Sequence, residues 1–317
     1  MSGYVTRWAD FWADNLYHNG CRDVGSSMIF FVALRPRHWA KNLLVFLAPF
    51  GAGAVSFSNA VVLLFAFLAL SAAASATYLL NDVRDRDIDR FHPSKKSRAV
   101  AAGHIQPRTA LIAALFLISL AVALGSLTNW ASLAGIAVYL LIANLYSLWF
   151  KRVPALDVVI LASLFVLRIV IGAAVVSVTI SNWLYAAGFF AFLSIGFAKR
   201  FIELSLRDQR TVEEVSRGRG YFPADLASLQ IAGLGSGLIS ALVLTQYIEK
   251  TQILAGGGFG NILWILVPIW VYWVTRFWIF VSRGKIPDDP VEFVLKDGVS
   301  YLVVFSMFLI NAVVVWG

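Results

Sequence analysis

The chain has 317 residues, of which 59% are hydrophobic and only 14% are charged. Its mean hydropathy is +0.76. Soluble domains carry about 25% charged residues, so this composition excludes a soluble globular protein. The single cysteine, Cys21, excludes an internal disulfide framework and a cysteine-based metal cluster.

The first distinct segment is residues 1–34. Residues 1–27 contain no uninterrupted apolar stretch, which indicates that they are not a cleavable secretory signal. Apolar residues recur there at helical spacing: Val5, Trp8, Trp12 and Leu16. This spacing predicts an amphipathic helix at the membrane interface, with a partly disordered tail as the alternative. We therefore divide the chain into an N-terminal interfacial segment over 1–34 and a transmembrane catalytic domain over 35–317.

The rest of the chain alternates long apolar runs with short polar loops, which is typical of a polytopic membrane protein. Because a membrane-spanning helix needs about 20 residues, the pattern predicts an all-α bundle of about nine transmembrane helices. The predicted spans are 43–58, 60–80, 109–127, 130–150, 158–178, 183–201, 226–247, 261–281 and 298–316.

Lysine and arginine are concentrated in alternate loops. Of the 26 basic residues, 23 lie in 1–42, 81–108, 151–157, 199–219 and 282–297. Because cytoplasmic loops carry the excess of basic residues, we expect these loops and the N-terminus to be cytoplasmic and the C-terminus to be outside. The net charge of +8 is therefore a topological signal and does not indicate nucleic-acid binding. The resulting cationic face suits anionic lipids or phosphorylated substrates.

The densest polar group begins at the cytoplasmic end of the second predicted span. If that helix continues, four oxygen-bearing side chains share one of its faces: Asn81, Asp82, Asp85 and Asp89. Carboxylates at this density repel one another unless a cation lies between them, and Mg²⁺ prefers such ligands together with substrate phosphates. The alternative is a solvated helix end whose acids pair with neighbouring arginines. A basic segment with Lys95 and Arg98 follows directly, so the combination favours a functional site.

The sequence NDVRDRDID over 81–89 resembles the NDxxDxxxD signature of the UbiA-type intramembrane prenyltransferase superfamily. The sequence RPRHWAKN over 35–42, Tyr146 with Lys151, and KRFIEL over 199–204 are similar to one branch, the decaprenyl-phosphate phosphoribosyltransferases. The resemblance covers most of the chain beyond residue 34. It implies a UbiA-like bundle in the bacterial inner membrane, an active site on the cytoplasmic side, and Mg²⁺ as cofactor.

The resemblance also implies a reaction: transfer of 5-phosphoribosyl from phosphoribosyl pyrophosphate to a polyprenyl phosphate of the decaprenyl type. Pyrophosphate would be released, and the product would serve cell-envelope polysaccharide synthesis. Most prenyltransferases of the superfamily have a second acidic motif, DxxxD, where this chain has Lys199 and Glu203. A protonated lysine cannot ligate Mg²⁺ but can hold a phosphate. This departure favours a donor with an additional phosphate group.

The site residues implied by the resemblance fall into three groups. The metal ligands are Asn81, Asp82, Asp85 and Asp89. The catalytic residues are Asp82, Asp85 and Tyr146, with Tyr146 orienting the acceptor phosphate. The substrate-binding residues are Lys41, Asn42, Lys95, Arg98, Lys151, Arg168, Lys199, Arg200 and Glu203.

Two arginines lie within predicted spans. Arg168 is expected to face the bundle interior because an ionisable group facing lipid is costly, and Asp157 lies about three turns before it as a candidate partner. Arg276 is expected to extend its side chain toward the cytoplasmic interface.

Two other functions stay open at this point. A conventional prenyltransferase would move an isoprenoid from its diphosphate to an aromatic or other lipophilic acceptor, and Lys199 argues against it. A transporter is compatible with the intramembrane charges, but the sequence has no convincing half-to-half repeat. The expected partners are the two substrates and membrane lipid, without nucleic acid, and self-association into a homo-oligomer is left open.

Overall fold

The computed structural model describes residues 26–54, 56–91, 95–179, 181–205, 220–255, 259–286 and 289–316. The interfacial helix predicted near the N-terminus therefore lies outside the described residues. Within the described ranges the regular structure consists of α-helices and short 3₁₀ segments, without strands.

The described α-helices are numbered in chain order. They are α1 Ser26–Ala33, α2 Leu47–Gly51, α3 Phe57–Arg84, α4 Arg86–Asp89, α5 Pro107–Ser126, α6 Trp130–Leu148, α7 Leu156–Val175, α8 Asn182–Ser205, α9 Leu226–Ala255, α10 Leu266–Ser282, α11 Pro290–Val294 and α12 Gly298–Trp316.

The predicted all-α membrane fold is confirmed. Seven helices of the described chain are long and apolar enough to cross a membrane, and an apolar stretch over Gly298–Ile310 follows them. The helix predicted over 43–58 is wrong. A 3₁₀ segment over Pro36–Phe46 leads into the five-residue α2, and the chain then turns at Gly53, whose φ is 67°. Glycine adopts positive φ at little cost, so an apolar run with a turn inside it does not form one spanning helix.

The described chain forms two compact units. The first runs to Asn42 and resumes over Leu68–Leu124. Two serines one turn apart on α3, Ser71 and Ser75, accept hydrogen bonds from the segment before the first long helix. Asn42 donates to the Ser71 hydroxyl and the indole of Trp39 donates to the Ser75 hydroxyl, each at 3.0 Å. Because the bilayer core offers no water, such bonds satisfy polar groups that would otherwise be buried alone.

The second unit comprises Leu43–Phe67 and the chain from Gly125 onward. Two glycines one turn apart on α9 allow α10 to approach closely. A Cβ on Gly233 would lie 2.0 Å from Cζ2 of Trp278, and one on Gly237 would lie 2.5 Å from Cγ1 of Val274. Small residues at this spacing let two membrane helices pack backbone to side chain.

A partly buried ion pair joins α10 to the residue before α12. The guanidinium of Arg276 donates to both carboxylate oxygens of Asp297 at 2.8 Å and lies 4.4 Å from the ring centre of Phe280. Burial would raise the pKa of Asp297, but hydrogen bonds from Arg276 and Ser300 outweigh it and hold the pKa below its ordinary value. The side chain of Arg276 thus ends on a specific carboxylate, and its extension toward the cytoplasmic interface stays a prediction.

Gly172 on α7 is the tightest backbone contact of the second unit. A Cβ there would lie 1.8 Å from the carbonyl oxygen of Val45, and a backbone atom cannot move aside as a side-chain tip can.

We expect Gly172→Ala to lower the free energy of unfolding by about 1–3 kcal/mol, the usual cost of overpacking. The measurement is the melting temperature of the full chain in detergent. Gly235→Ala is the matched control, since nothing lies within 4 Å of a Cβ built on Gly235. Equal melting temperatures for the two variants would contradict the packing of α7 against Val45.

Candidate active site

The acidic motif lies where α3 passes into α4. α3 ends at Arg84 and α4 begins at Arg86, with Asp85 between them. The backbone keeps a helical path through this junction, because the amide of Asp85 donates to Asn81 and the amide of Asp89 donates to Asp85, both at 2.8 Å. Side chains seven residues apart therefore share one face, as the sequence predicts.

Two carboxylates of the motif are buried and share a cation. Asp82 and Asp89 are 3% and 2% exposed. Nη1 of Arg98 lies 2.6 Å from Asp89 Oδ2 and 3.3 Å from Asp82 Oδ1, and Nη2 of Arg35 lies 2.6 Å from the same Asp82 oxygen. We call these four residues the acidic cluster. Asp87, in contrast, has a side chain that is 86% exposed and lies 3.8 Å from Arg90.

Arg35 reaches the acidic cluster from an unusual backbone conformation. Its φ is 54°, in the left-handed region, directly before Pro36. A non-glycine residue pays about 1–2 kcal/mol for this conformation. The guanidinium of Arg35 also lies 4.9 Å from the ring centre of Tyr78. The ion pair with Asp82 and this ring contact hold the arginine in place despite the backbone cost.

The acidic cluster fits a divalent cation only in part. Within the described ranges no three His, Cys, Asp or Glu side chains are grouped to hold a metal ion. Asp82 and Asp89 nevertheless converge on one cation, Arg98. Mg²⁺ usually takes one or two carboxylates and completes its shell with waters and substrate phosphates. Two convergent carboxylates, with Asn81 and Asp85 on the same helical path, suit such a shared site and not a closed protein cage.

A second cluster lies in the second unit and centres on Arg200 of α8, which is 1% exposed. All three guanidinium nitrogens donate to protein oxygens. Nε donates to Asp157 at 2.5 Å, Nη1 to Glu203 at 2.6 Å and Nη2 to the hydroxyl of Tyr146 at 3.0 Å. We call these residues, together with Tyr221, the arginine network.

Tyr221 completes the arginine network from beyond α8. Its hydroxyl donates to Asp157 at 2.6 Å and accepts from the amide of Ala155 at 2.7 Å. Ala155 has φ of 62°, a second non-glycine residue in the left-handed region. Burial, followed by the bond to Asp157, raises the pKa of Tyr221. The Tyr221 hydroxyl therefore stays protonated across the neutral range and remains a donor to Asp157.

The arginine network changes the interpretation of Arg200. The sequence assigned it to substrate binding, whereas the structure commits its guanidinium to Asp157, Glu203 and Tyr146. Because the Tyr146 oxygen accepts from Arg200, its own proton must point elsewhere. No described residue accepts that proton. The Tyr146 hydroxyl is thus oriented with its proton directed away from Arg200.

Arg168 faces the protein interior, as expected, and is 6% exposed. It donates to the carbonyl of Leu164 at 2.5 Å and to the hydroxyl of Tyr139 at 3.0 Å. Its guanidinium also lies over the rings of Tyr139 and Phe165. The candidate partner from the sequence, Asp157, binds Arg200 and Tyr221.

The remaining predicted site residues lie at helix ends and in 3₁₀ segments. Asn42 is fully buried and bonded to Ser71, so its role in the structure is to satisfy a polar contact. The lysines are half-buried, and their positions are Lys41 in Pro36–Phe46, Lys95 in Lys95–Ser97, Lys151 in Phe150–Arg152 and Lys199 on α8.

Arg35, Asp157 and Tyr221 have no site role among the sequence-based predictions, although the structure places all three in the clusters. For Arg35, the available signal is its position in the motif over 35–42 before the first span. Tyr221 and Asp157 are separated by 64 positions, and no local pattern indicates a contact over that separation.

Comparisons with known proteins bear on the whole chain. The sequence pattern of the UbiA prenyltransferase family matches residues 42–296. A Sinorhizobium fredii protein named y4nM is 33% identical over 85% of this chain and 52% of its own length. A Corynebacterium glutamicum protein named decaprenyl-phosphate phosphoribosyltransferase is 34% identical over 62% of this chain and 60% of its own length. This chain thus spans between half and two thirds of these two relatives.

A solved structure shares the fold. A UbiA homolog from Archaeoglobus fulgidus bound to GPP and Mg²⁺ superposes with a TM-score of 0.68 at 18% identity. The match covers 90% of this chain and 99% of that one. At this identity the likeness concerns the arrangement of helices and not the choice of ligand.

We expect Arg200→Gln to lower the free energy of unfolding by about 3–5 kcal/mol, because it leaves the buried Asp157 without its cation. Thermal melting of the full chain in detergent measures this. Arg152→Gln, an exposed arginine of the same unit, is the control. The double variant Asp157→Asn with Arg200→Gln should recover part of the loss, since the fully buried charge of Asp157 is then removed together with its cation and only the partly exposed Glu203 loses a partner. A single variant as stable as the control would contradict the arginine network.

Proposed function

This chain belongs to the UbiA prenyltransferase family, and we propose that it is a Mg²⁺-dependent transferase of 5-phosphoribosyl groups. The donor is phosphoribosyl pyrophosphate and the acceptor is a polyprenyl phosphate of the decaprenyl type. The relative named decaprenyl-phosphate phosphoribosyltransferase supports this branch. The product would enter the synthesis of cell-envelope polysaccharide.

One observation carries the proposal beyond the family. The second acidic motif of conventional relatives is replaced by Lys199 and Glu203, and Arg200 forms ion pairs with both Glu203 and Asp157. Arg200 and Lys199 together balance these two acids, so the region lacks the excess negative charge that would attract a second metal ion. A lysine in place of the first acid suits a donor that carries a further phosphate besides its pyrophosphate.

In the proposed reaction, an oxygen of the polyprenyl phosphate forms a bond to C1 of the ribose as the bond from C1 to pyrophosphate breaks. The bonding electron pair leaves with pyrophosphate. Mg²⁺, when bound, neutralises the charge that develops on this leaving group. Asp82 and Asp89, with Asn81 and Asp85, are the residues that would hold it.

The protein groups act mainly by positioning. The acceptor phosphate is already an anion near neutral pH, so it needs orientation more than a base. Tyr146 donates its hydroxyl proton to a phosphate oxygen, because Arg200 occupies its acceptor side. The donor and acceptor phosphates take their cations from Arg98 and from the half-buried lysines, which are Lys41, Lys95, Lys151 and Lys199.

We propose that the active site faces the cytoplasmic side of a bacterial inner membrane, because cytoplasmic loops carry the excess of basic residues. The isoprenoid tail of the acceptor stays among the membrane lipids. A homo-oligomer is compatible with all of these assignments.

The enzyme assay uses the purified full chain and measures pyrophosphate release. We expect release with phosphoribosyl pyrophosphate and polyprenyl phosphate, and none with a prenyl diphosphate and an aromatic acceptor. Asp82→Asn should lower kcat by at least about 100-fold through lost electrostatic stabilisation. Asp87→Asn is the matched control, because the Asp87 side chain lies outside the acidic cluster and is 86% exposed. Equal rates for the two variants would refute the metal assignment.

The second candidate function is a conventional prenyltransferase, the activity after which this chain's family is named. The same assay separates the two functions. Pyrophosphate release that depends on prenyl diphosphate and not on phosphoribosyl pyrophosphate would replace the proposed function with this one.

The orientation of the chain in the membrane is tested with its single cysteine, Cys21. We expect a membrane-impermeant maleimide to leave Cys21 unmodified in intact spheroplasts and to label it after permeabilisation, because the N-terminus is cytoplasmic. The control is Cys21→Ser combined with Gly257→Cys, which moves the thiol to a predicted external loop and should be labelled without permeabilisation. The reverse labelling pattern would invert the topology.

A further inference from the structure

The acidic cluster is electrically balanced as it stands. Asp82 and Asp89 contribute two negative charges, and Arg35 and Arg98 contribute two positive ones. Nη1 of Arg98 lies within 3.3 Å of one carboxylate and 2.6 Å of the other, so it occupies the position between them. A carboxylate pair in this arrangement is already neutralised and offers little attraction to a further cation.

A divalent cation at these carboxylates must therefore displace Arg98. The arginine would then lie close to the cation with no partner, and the cluster would carry a net charge of two. Like charges in a partly desolvated site are costly. A polyphosphate anion removes this cost, because it supplies the missing negative charge and because guanidinium groups bind phosphate oxygens in a bidentate fork.

The two arginines of the acidic cluster are able to change partners. Their side chains are 22% exposed, so they reach water without disruption of a packed core. Arg200 differs in its burial and in its hydrogen bonding, since it is 1% exposed and donates through all three of its nitrogens. Arg35 and Arg98 can therefore leave their carboxylates, whereas Arg200 cannot.

We infer that Arg35 and Arg98 pass from the carboxylates of the acidic cluster to the phosphates of the donor when a divalent cation binds those carboxylates. The inference rests on the proposed function, because that function supplies the polyphosphate. It adds that the two arginines compete with the cation for the carboxylates, and that Arg35 is a substrate-binding residue. By linkage, each ligand raises the affinity for the other by the same factor.

The test compares two binding measurements on the purified full chain in detergent. The first measures Mn²⁺ alone, from the loss of the free-ion EPR signal as protein is added. The second measures radiolabelled pyrophosphate at saturating Mg²⁺. Arg98→Gln should bind Mn²⁺ alone about tenfold more tightly than the natural chain, because a competing cation is gone. The same variant should bind pyrophosphate at least about tenfold more weakly, because an anion ligand is gone.

Opposite changes in the two affinities distinguish this inference from a structural role, since a damaged fold weakens both. Arg98→Lys retains the charge and should stay close to the natural chain in Mn²⁺ affinity. Arg108→Gln is the matched control, because Arg108 is exposed at the start of α5, and both of its affinities should be unchanged.

The outcomes separate failure of the inference from failure of the proposed function. Unchanged or weaker binding of Mn²⁺ alone in Arg98→Gln would overturn the inference while leaving the metal assignment intact. Asp82→Asn should lose Mn²⁺ in every condition. If Asp82→Asn instead binds Mn²⁺ and pyrophosphate as the natural chain does, the proposed metal site and the inference both fail.

Discussion

A carboxylate that leaves water inside a membrane protein needs a cation or several hydrogen-bond donors at contact distance, because an unpaired buried charge costs several kcal/mol. In the described part of the chain, arginine meets this requirement at the buried acids. Asp82 pairs with Arg35, Asp89 with Arg98 and Asp157 with Arg200. The partly buried Asp297 pairs with Arg276 in the same way. The bonds that satisfy these pairs also fix where helices, loops and tyrosine hydroxyls lie.

Both main clusters pair arginine with carboxylates, but the pairing has a different effect in each. In the arginine network, a fully buried guanidinium is surrounded by its partners, and its effect is to fix the direction in which Tyr146 donates. In the acidic cluster, one arginine is divided between two carboxylates, and its side chain has a path to solvent. The first arrangement resists exchange of partners, whereas the second permits it.

Sequence reasoning worked where the signal was local. Eight of the nine predicted spans correspond to described helices, because hydropathy over about 20 residues is sufficient to indicate a span. The failure at 43–58 has a local cause too, since Pro49, Gly51 and Gly53 interrupt that apolar run. The spacing from Asp82 to Asp89 is also sufficient to predict that both carboxylates share one helix face.

The contacts that define the candidate site were harder to predict, because they join distant residues. Arg35 and Asp82 are 47 positions apart, and Arg200 and Asp157 are 43 apart. The sequence contains several arginines and several acids, and residue type alone does not indicate which arginine pairs with which acid. Burial decides among them, and burial depends on tertiary packing that the pattern of residue types does not determine.

The left-handed backbone at Arg35 has a consequence for how this position tolerates sequence change. Glycine would relax the backbone at φ 54° but would remove the guanidinium that holds Asp82. Lysine would keep a charge but would retain the strain and lose the fork. Each of these replacements therefore either loses the ion pair with Asp82 or keeps the strained backbone without the guanidinium fork. A protein engineer altering ligand preference should leave residue 35 unchanged. Lys41 and Lys95 are better positions to vary, because their backbones carry no such constraint.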